Sequence, residues 1–364
     1  MFLSNLSLIN YKNIPEANLD FCRGVNCFVG NNGVGKTNLL DAVYYLSFCK
    51  SHSNSIDNQN IRHEENFLMV QGKYFRGEMQ EDIYLGLKRG QRKAFKHNKK
   101  EYERISDHIG LLPLVLVSPN DSCLIDGGSD ERRKFIDGVI SQYDKKYLDS
   151  LIRYNRVVQQ RNALLKNDDN QDMSIFDVCE WQMEQFAQYI YEKRKSFIEE
   201  FVPIFQEYYQ FISSGKEIVN ITYKSHLQKP DFKTQLESTR QRDFILGFTS
   251  KGIHKDELEM FLGDYLVKRI GSQGQGKSFL IALKLAQFDF LKKVHGFFPL
   301  LLLDDIFDKL DSQRVTQIIQ LVSGEKFGQI FITDTNREHL DELLKQINNP
   351  YKIFTVKENG VFLA

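Results

Sequence analysis

The sequence predicts an α/β fold built on a phosphate-binding loop and split in sequence by a helical insertion. Three observations carry this reading. Gly30-Asn31-Asn32-Gly33-Val34-Gly35-Lys36-Thr37 fits the pattern GxxxxGK[ST], with an apolar run before it and helical spacing after it. Leu300-Leu301-Leu302-Leu303-Asp304-Asp305 reads as a buried strand ending in two carboxylates. Between them lies a long stretch whose apolar residues recur at steps of three and four, whereas the flanking regions alternate strand and helix patterns.

The elements follow in order. Leu6 and Leu8, then Ala17, Leu19 and Phe21, alternate with polar neighbours and predict strands, and Val25 to Val29 is a short apolar strand that stops at Gly30. Beyond Lys36, Leu39, Leu40, Val43 and Leu46 fall on one helical face. Phe67 to Val70, Ile83 to Leu87 and Val115 to Val117 are further short strands. In the middle, Leu148, Leu151, Ile152, Val158 and Leu165 have helical spacing, and Lys166 to Gln171 reads as a polar turn. A second helix from about Asp172 to Val202 follows, with Pro203 marking a kink or an end. The pair reads as an ordinary helical subdomain, with a short coiled coil as the alternative. Leu258 to Leu262 and Leu266 to Lys268 flank a Gly263-Asp264 hairpin turn; Phe279 to Val294 is an apolar helix, and Leu300 to Leu303 and Gly328 to Ile332 are buried strands. The expected division is 1–138 for the first part of the head, 139–240 for the insertion and 241–364 for the second part.

Composition narrows the function classes. With 364 residues, two compact units are expected. Lys plus Arg and Asp plus Glu both number 48, so the chain is no polycation and any nucleic-acid contact must come from local patches. Cys22, Cys27, Cys49, Cys123 and Cys179 form no CxxC pair and sit beside no His at zinc spacing, which speaks for reduced thiols in the cytoplasm. Met1 to Asn10 is no signal peptide, and runs such as Phe297 to Leu303 are too short to span a bilayer.

The phosphate loop has a physical logic. Its glycines let backbone N–H groups turn inward around phosphates. Lys36 supplies a charge for the β and γ phosphates of ATP, and the Thr37 hydroxyl suits Mg²⁺. The helix that follows adds its positive N-terminal end. Asp304 is expected to hold the same Mg²⁺, and Asp305 to polarise an attacking water. Alternatively, the adjacent carboxylates are a helix N-cap and a solvated neighbour. Lys88, Arg89, Arg92, Lys93, Lys96, Lys99, Lys100 and Arg104 crowd one segment, with Phe95 and His97 interleaved. The segment is either a phosphate-binding patch centred on Arg92, Lys93 and Lys96 or a solvated hairpin. No base-reading motif accompanies it, so shape or strand-junction recognition is expected over sequence readout.

Gly271-Ser272-Gln273-Gly274-Gln275-Gly276-Lys277 opens the helix from Phe279. A lone Ser-Gly-Gln string is usually a capped loop. Here it stands about thirty residues before the acidic strand, and its S-x-G-Q core resembles the signature motif of the ABC ATPase superfamily. A Ser hydroxyl, a Gly N–H and a helix N-terminus make an anion site, which in that superfamily faces the γ-phosphate held by another subunit.

Over nearly its whole length the chain resembles the RecF family of bacterial recombination and replication-repair proteins, relatives of the Rad50 and SMC heads. The resemblance runs through Leu6 to Asn13, the phosphate loop with Asn38 to Ala42, Ser118-Pro119-Asn120-Asp121, Gly128, Arg132 to Asp137, Thr249 to Leu258, the Ser272 motif and Leu302 to Asp311. It implies an ABC-type ATPase head with a mixed sheet, using ATP and Mg²⁺, and a weak, DNA-stimulated ATPase activity. It also implies an ATP-dependent homodimer on double-stranded or gapped DNA, RecR and RecO type mediator partners, and a place in DNA repair, replication and the SOS response. By the same resemblance Lys12, Asn13 and Asn38 lie near the nucleotide, Ser272, Gly274 and Gln275 act across the dimer, and Ser118 to Asp121 couple ATP to the head.

Three departures stand out. Asn120 replaces a usual acid. Gly252-Ile253-His254-Lys255-Asp256-Glu257 replaces Gly-Pro-His-Arg-Asp-Asp, and Lys255 lacks the forked donor of Arg. Thr333-Asp334-Thr335 replaces the switch His of many ABC proteins, leaving open which of the three senses the γ-phosphate. A structural tether of the Rad50 or SMC kind would need longer coiled-coil arms than this spacer offers. Arg132 to Asp137 and the long insertion argue against a transporter subunit. A nuclease of the overcoming-lysogenization-defect type would need a further metal-binding domain.

Overall fold

The computed structural model describes residues 1–166, 173–229, 231–306, 312–323, 326–335, 341, 344–345, 350–358 and 360–364. The chain opens with β1 (Phe2–Tyr11), β2 (Ile14–Asp20), β3 (Val25–Val29) and α1 (Lys36–Phe48). Strands β4 (Phe67–Arg76), β5 (Met79–Lys88), β6 (Ala94–His97), β7 (Lys100–Glu101) and β8 (Leu114–Val117) precede helices α2 (Cys123–Asp126), α3 (Ser129–Ile140), α4 (Lys145–Leu165) and α5 (Met173–Ile212). Then come β9 (Val219–Lys224), α6 (Phe232–Leu246), β10 (Glu257–Leu262), β11 (Tyr265–Leu266), α7 (Val267–Ile270) and α8 (Gln273–His295). β12 (Leu300–Asp304), α9 (Ser312–Ser323), β13 (Ile330–Asp334), β14 (Tyr351–Lys357) and β15 (Gly360–Leu363) complete the described elements.

The central sheet has the order β15-β14-β3-β13-β12-β8. Its strands run parallel except for β15, which pairs antiparallel with β14, so the sheet is mixed as expected. Its inner strands are apolar on both faces because both are covered. Phe28, Leu114, Leu116, Leu300, Leu302 and Phe331 face a core shared with α1 and the first, antiparallel sheet β2-β1-β4-β5-β6-β7. Their neighbours Cys27, Val115, Val117, Leu301, Leu303 and Ile332 face a second core shared with α3, α4, α5 and α8. A third sheet, β11-β10-β9, is antiparallel and joins a strand from the expected insertion to one from the second part of the head. The boundaries expected after 138 and 240 lie inside α3 and α6.

Two sequence expectations are corrected. Helix α5 passes through Pro203 and ends at Ile212, 40 residues in all, or roughly 60 Å at the α-helical rise. An interior proline costs roughly 3 kcal/mol. The apolar face beyond it offsets this: Phe205 packs on Phe279 at 4.7 Å and Tyr209 on Phe279 at 5.9 Å, both against α8. Val267 and Lys268 are the start of α7 rather than a strand, so the hairpin's second strand is only Tyr265–Leu266. The expected turn over Lys166 to Gln171 lies, beyond Lys166, outside the described residues, as do the last five residues of Leu302 to Asp311.

Candidate functional site

The site forms at the carboxyl ends of the parallel strands, where chain ends meet in register. Val29 pairs with Asp334, and Thr333 with Asp304, so the phosphate loop, β13 and the acidic strand emerge side by side. Gly35 adopts φ 110°, and a Cβ there would stand 2.6 Å from the Asn13 amide oxygen. Only glycine combines that backbone with so close a neighbour. Gly30 is equally confined, because a Cβ would meet the Val356 carbonyl at 2.3 Å. The Lys36 ammonium donates to the carbonyls of Gly30, at 2.7 Å, and Asn31, at 2.8 Å. Burial draws its pKa below the usual lysine range, opposed by Asp305, Asp304 and Asp334. Asn32, Gly33 and Val34 form the outer rim of the loop, partly or fully exposed.

Asp304 is 4 % exposed. Its Oδ1 accepts the Thr37 hydroxyl at 3.0 Å and the Thr333 hydroxyl at 2.6 Å. Burial, helped by the neighbouring Asp305, holds its carboxyl above the usual range in spite of those bonds. A hard divalent cation prefers such oxygen donors, and Thr37 with Asp304 fits Mg²⁺. Asp305 has a left-handed backbone, φ 49°, with its N–H directed to Thr333 Oγ1 at 3.1 Å. Aspartate tolerates that conformation better than most residues, and it turns the second carboxylate away from the strand. Of the three switch candidates, Thr333 touches Asp304, Asp334 is buried near Lys36, and Thr335 is exposed.

Asn13 lies on the loop, accepting from Asn38 Nδ2 at 2.8 Å. Lys12 does not. Its ammonium pairs with Asp41, a buried carboxylate on α1 that also accepts Tyr11 Oη at 2.6 Å and Ser51 Oγ at 2.6 Å. Lys12 therefore anchors the β1–β2 turn to α1, since a buried Asp41 left without its cation would be costly.

The signature turn is a helix start. Ser272 caps α8: its hydroxyl accepts the Gln275 N–H at 3.2 Å, while Gln275 Oε1 accepts the Ser272 N–H at 2.8 Å. Gly271 and Ser272 are exposed, and Gly274 and Gln275 are half-buried. Gln275 Nε2 donates to Glu217 at 2.9 Å, and Arg314 donates to the Gly274 carbonyl at 3.1 Å. Between the turn and the acidic strand lies a cleft of about 370 Å³, lined by Ser118, Ser272, Lys277, Asp304 and Asp305 over an apolar floor.

The Ser118 loop joins this arrangement through a contact the sequence did not disclose. Asp121 accepts the Ser118 N–H at 2.7 Å and pairs with Lys284 of α8 at 2.8 Å. Asn120 is exposed, so the acid missing there lies on the solvent side of the loop. The stretches Arg132 to Asp137 and Thr249 to Leu258 prove to be two sides of one network. Arg132 pairs with Glu257 at 2.8 Å, and Arg194 bridges Asp137 at 2.9 Å and Asp256 at 2.8 Å. Lys255 rests over Phe248 at 4.8 Å instead of forking to a carboxylate.

The basic segment is a β-hairpin edge, and one residue leaves the expected set. The Lys93 ammonium sits 2.9 Å from Asp57, donates to the Cys49 carbonyl at 2.7 Å and lies over Tyr45. Any phosphate would have to compete with these three internal partners for Lys93. Arg92 is exposed, and Lys96 is half-buried over Tyr84.

Glu217, Arg314 and Lys284 were not singled out from the sequence, whereas Asp121 and Thr333 stood in the Ser118 loop and among the three switch candidates. The bonds of Glu217 to Gln275, of Arg314 to Gly274 and of Lys284 to Asp121 join segments far apart in the chain, and no local spacing announces them.

Phosphate loop, acidic strand and signature turn, set around a mixed central sheet, define an ATP-binding head of the ABC class. The family described as RecF/RecN/SMC N terminal domain matches residues 2–361. The chain belongs to the RecF family. It is 57% identical over 362 residues to the DNA replication and repair protein RecF of Bacteroides fragilis, covering 99% of this chain and 98% of that one. It is 50% identical over 366 residues to the RecF of Porphyromonas gingivalis, with both chains covered in full. A solved structure of the recombination mediator protein RecF with ATP, from the RecFOR pathway, superposes with a TM-score of 0.90 at 26% identity, covering 100% of this chain and 97% of that one. An Smc head domain of Pyrococcus furiosus shares the fold, with a TM-score of 0.59 at 17% identity, covering 100% of this chain and 96% of that one.

Proposed function

We propose that this chain is an ATP-gated DNA-binding protein of recombinational repair and replication restart. ATP brings two copies together, the dimer holds DNA at gaps or junctions and helps load a recombinase, and slow, DNA-stimulated hydrolysis releases it. The observation that carries this reading is the coexistence of a braced phosphate loop with an exposed Ser272 turn at the start of α8. An isologous dimer gives two equivalent sites, each using the loop of one copy and the turn of the other. RecR and RecO type mediators are the proposed partners, by analogy with the pathway named for the solved relative, and the reduced cysteines suit the cytoplasm.

Within the site, Lys36 exchanges the loop carbonyls for the β and γ phosphates, and Asn13 and Asn38 frame the loop. Thr37 and Asp304 would hold Mg²⁺, which would shield phosphate charge when bound. Asp305 orients the attacking water, and Thr333, already hydrogen-bonded to Asp304, is the favoured γ-phosphate switch. Ser272, Gly274 and Gln275 meet the partner's nucleotide. Arg92 and Lys96 contribute to the DNA-facing surface, and the insertion expected over 139–240, with ends shifted so as not to cut α3 and α6, separates the two parts of the head.

Asp305→Asn is the direct test. It should bind ATP, dimerise and retain DNA longer than the parent protein, while single-turnover hydrolysis falls at least about a hundredfold. An unchanged rate would place the catalytic carboxylate elsewhere.

A further inference from the structure

We propose that Glu217 is a positioning residue for the signature turn, and that through it the end of the long insertion helix helps set ATP-dependent dimerisation. This rests on the reading that the Ser272 turn meets the nucleotide of a second copy.

Glu217 lies in the turn between α5 and β9, more than fifty residues before the signature turn. Its two oxygens are shared among three donors. Oε1 accepts Gln275 Nε2 at 2.9 Å and lies 3.3 Å from Arg314, and Oε2 accepts the Tyr209 hydroxyl. Partial burial raises the pKa of this carboxyl, but the bonds from Tyr209 and Gln275 and the Arg314 charge outweigh it, so Glu217 stays ionised.

The consequence runs through one amide. Gln275 uses its oxygen to close the capping box on Ser272 and its NH₂ to reach Glu217. Glu217 thereby dictates which way the amide faces, and the amide holds the Ser272 N–H. Arg314 acts on the same turn, donating to the Gly274 carbonyl and to Ser278 Oγ at 2.6 Å. Both residues therefore fix the backbone that presents Ser272 and Gly274.

The α5–β9 turn that carries Glu217 is also gripped by α9. Gln313 and Gln317 donate to Ser214 Oγ at 3.0 and 2.6 Å. Helix α9 follows the acidic strand in the chain, and α5 packs along α8. The α5–β9 turn is thus a three-way joint between the insertion, the helix downstream of the carboxylates and the signature turn. An ion pair with only modest exposure and several charge-assisted bonds is stiff enough to carry such a constraint.

The test compares Glu217→Ala and Glu217→Gln with Ser272→Arg in the full chain. Three readouts are taken: Mg-ATP affinity at protein concentrations where only monomer is present, the monomer–dimer midpoint with Mg-ATP by sedimentation, and the thermal midpoint. Glu217→Ala is expected to leave monomer affinity within about twofold and to raise the dimer midpoint at least about tenfold. Glu217→Gln keeps an acceptor for Tyr209 and Gln275 but loses the charge facing Arg314, and should fall between Glu217→Ala and the parent. A Glu217→Ala protein that dimerises at the parent's concentration, while Ser272→Arg does not, overturns this inference and leaves the dimer reading standing. A Ser272→Arg protein that dimerises normally overturns the dimer reading itself. Should Glu217→Ala fail to fold, Glu217→Gln decides alone: a parent-like midpoint overturns the inference.

Discussion

The phosphate loop and the signature turn are both glycine-rich starts of helices, yet their backbone carbonyls are gripped differently, even though the Thr37 side chain of the loop also reaches Asp304 across the sheet. In the loop, Lys36 is bonded to carbonyls five and six residues before it, and the strand that delivers it is Val25–Val29. The signature turn also closes locally, through Ser272 and Gln275, but its further bonds come from Glu217 and Arg314, 58 and 40 residues away from their partners. A motif whose geometry is local carries its own shape wherever the sequence recurs. A motif braced from outside takes its shape from the fold, and can be adjusted by whatever moves the brace.

That contrast can be broken experimentally, and the largest effect belongs to the catalytic end. Asp305→Asn should slow single-turnover hydrolysis at least about a hundredfold without weakening ATP binding. Lys36→Ala comes next. Loss of a charge-assisted phosphate contact of about 1.5–3 kcal/mol should weaken Mg-ATP binding roughly 10- to 100-fold in a fluorescent-nucleotide titration, and dimers should vanish with it. If Lys36→Ala binds Mg-ATP normally, the loop is not the nucleotide site. Ser272→Arg should lose the ATP-dependent dimer in light scattering, and equal dimer content with ATP, with ADP or without nucleotide would contradict that.

A smaller effect compares the two cores through pH. His108, in the phosphate-loop half, is buried and bonded to the Leu46 carbonyl at 2.7 Å; His254, in the other half, bonds Tyr154 at 2.9 Å and the Thr249 carbonyl at 3.0 Å. Burial depresses both, each to about 4. An unfolded chain takes up those protons near pH 6.5 and the folded chain does not. Stability is therefore fully present above that pH and declines as pH falls from about 6.5 to about 4. His108→Gln should flatten the decline measured by urea titration; an unchanged slope would assign the acid sensitivity to groups other than His108.

The smallest effect concerns the basic hairpin. Reversing Arg92 and Lys96 should weaken DNA binding and flatten its salt dependence, each lost phosphate contact removing about one unit of slope. Lys93→Glu should instead lower the thermal midpoint, because it places a carboxylate beside Asp57. If Lys93→Glu changes the salt slope as much as reversal of Arg92 and Lys96, the internal assignment of Lys93 is wrong.

Some of this protein was legible in the chain itself. Val25–Val29, the phosphate loop, Leu300–Asp304 and most of the helix after Ser272, expected from Phe279 and found to begin at Gln273, were recognisable, because each is specified by neighbours within a turn or a strand length. The resemblance then supplied the family. Other features had no local signal. Pro203 reads as a kink or an end, and burial against α8 explains why α5 continues to Ile212. Lys93 reads as one cation among eight, and only the approach of Asp57 and Cys49 turns it inward. Lys12 likewise sits beside Asn13 in sequence but belongs to Asp41 in space. The sequence by itself determined the strand that ends at Gly30, the lysine and hydroxyl of the loop, the paired carboxylates and the capped signature helix, since backbone conformation and side-chain chemistry set these within a few residues. Tertiary structure decided which charges are spent internally, how Asp304 gathers Thr37 and Thr333, and which distant carboxylate braces Gln275, because burial and long-range pairing exist only once separate segments have been folded against one another.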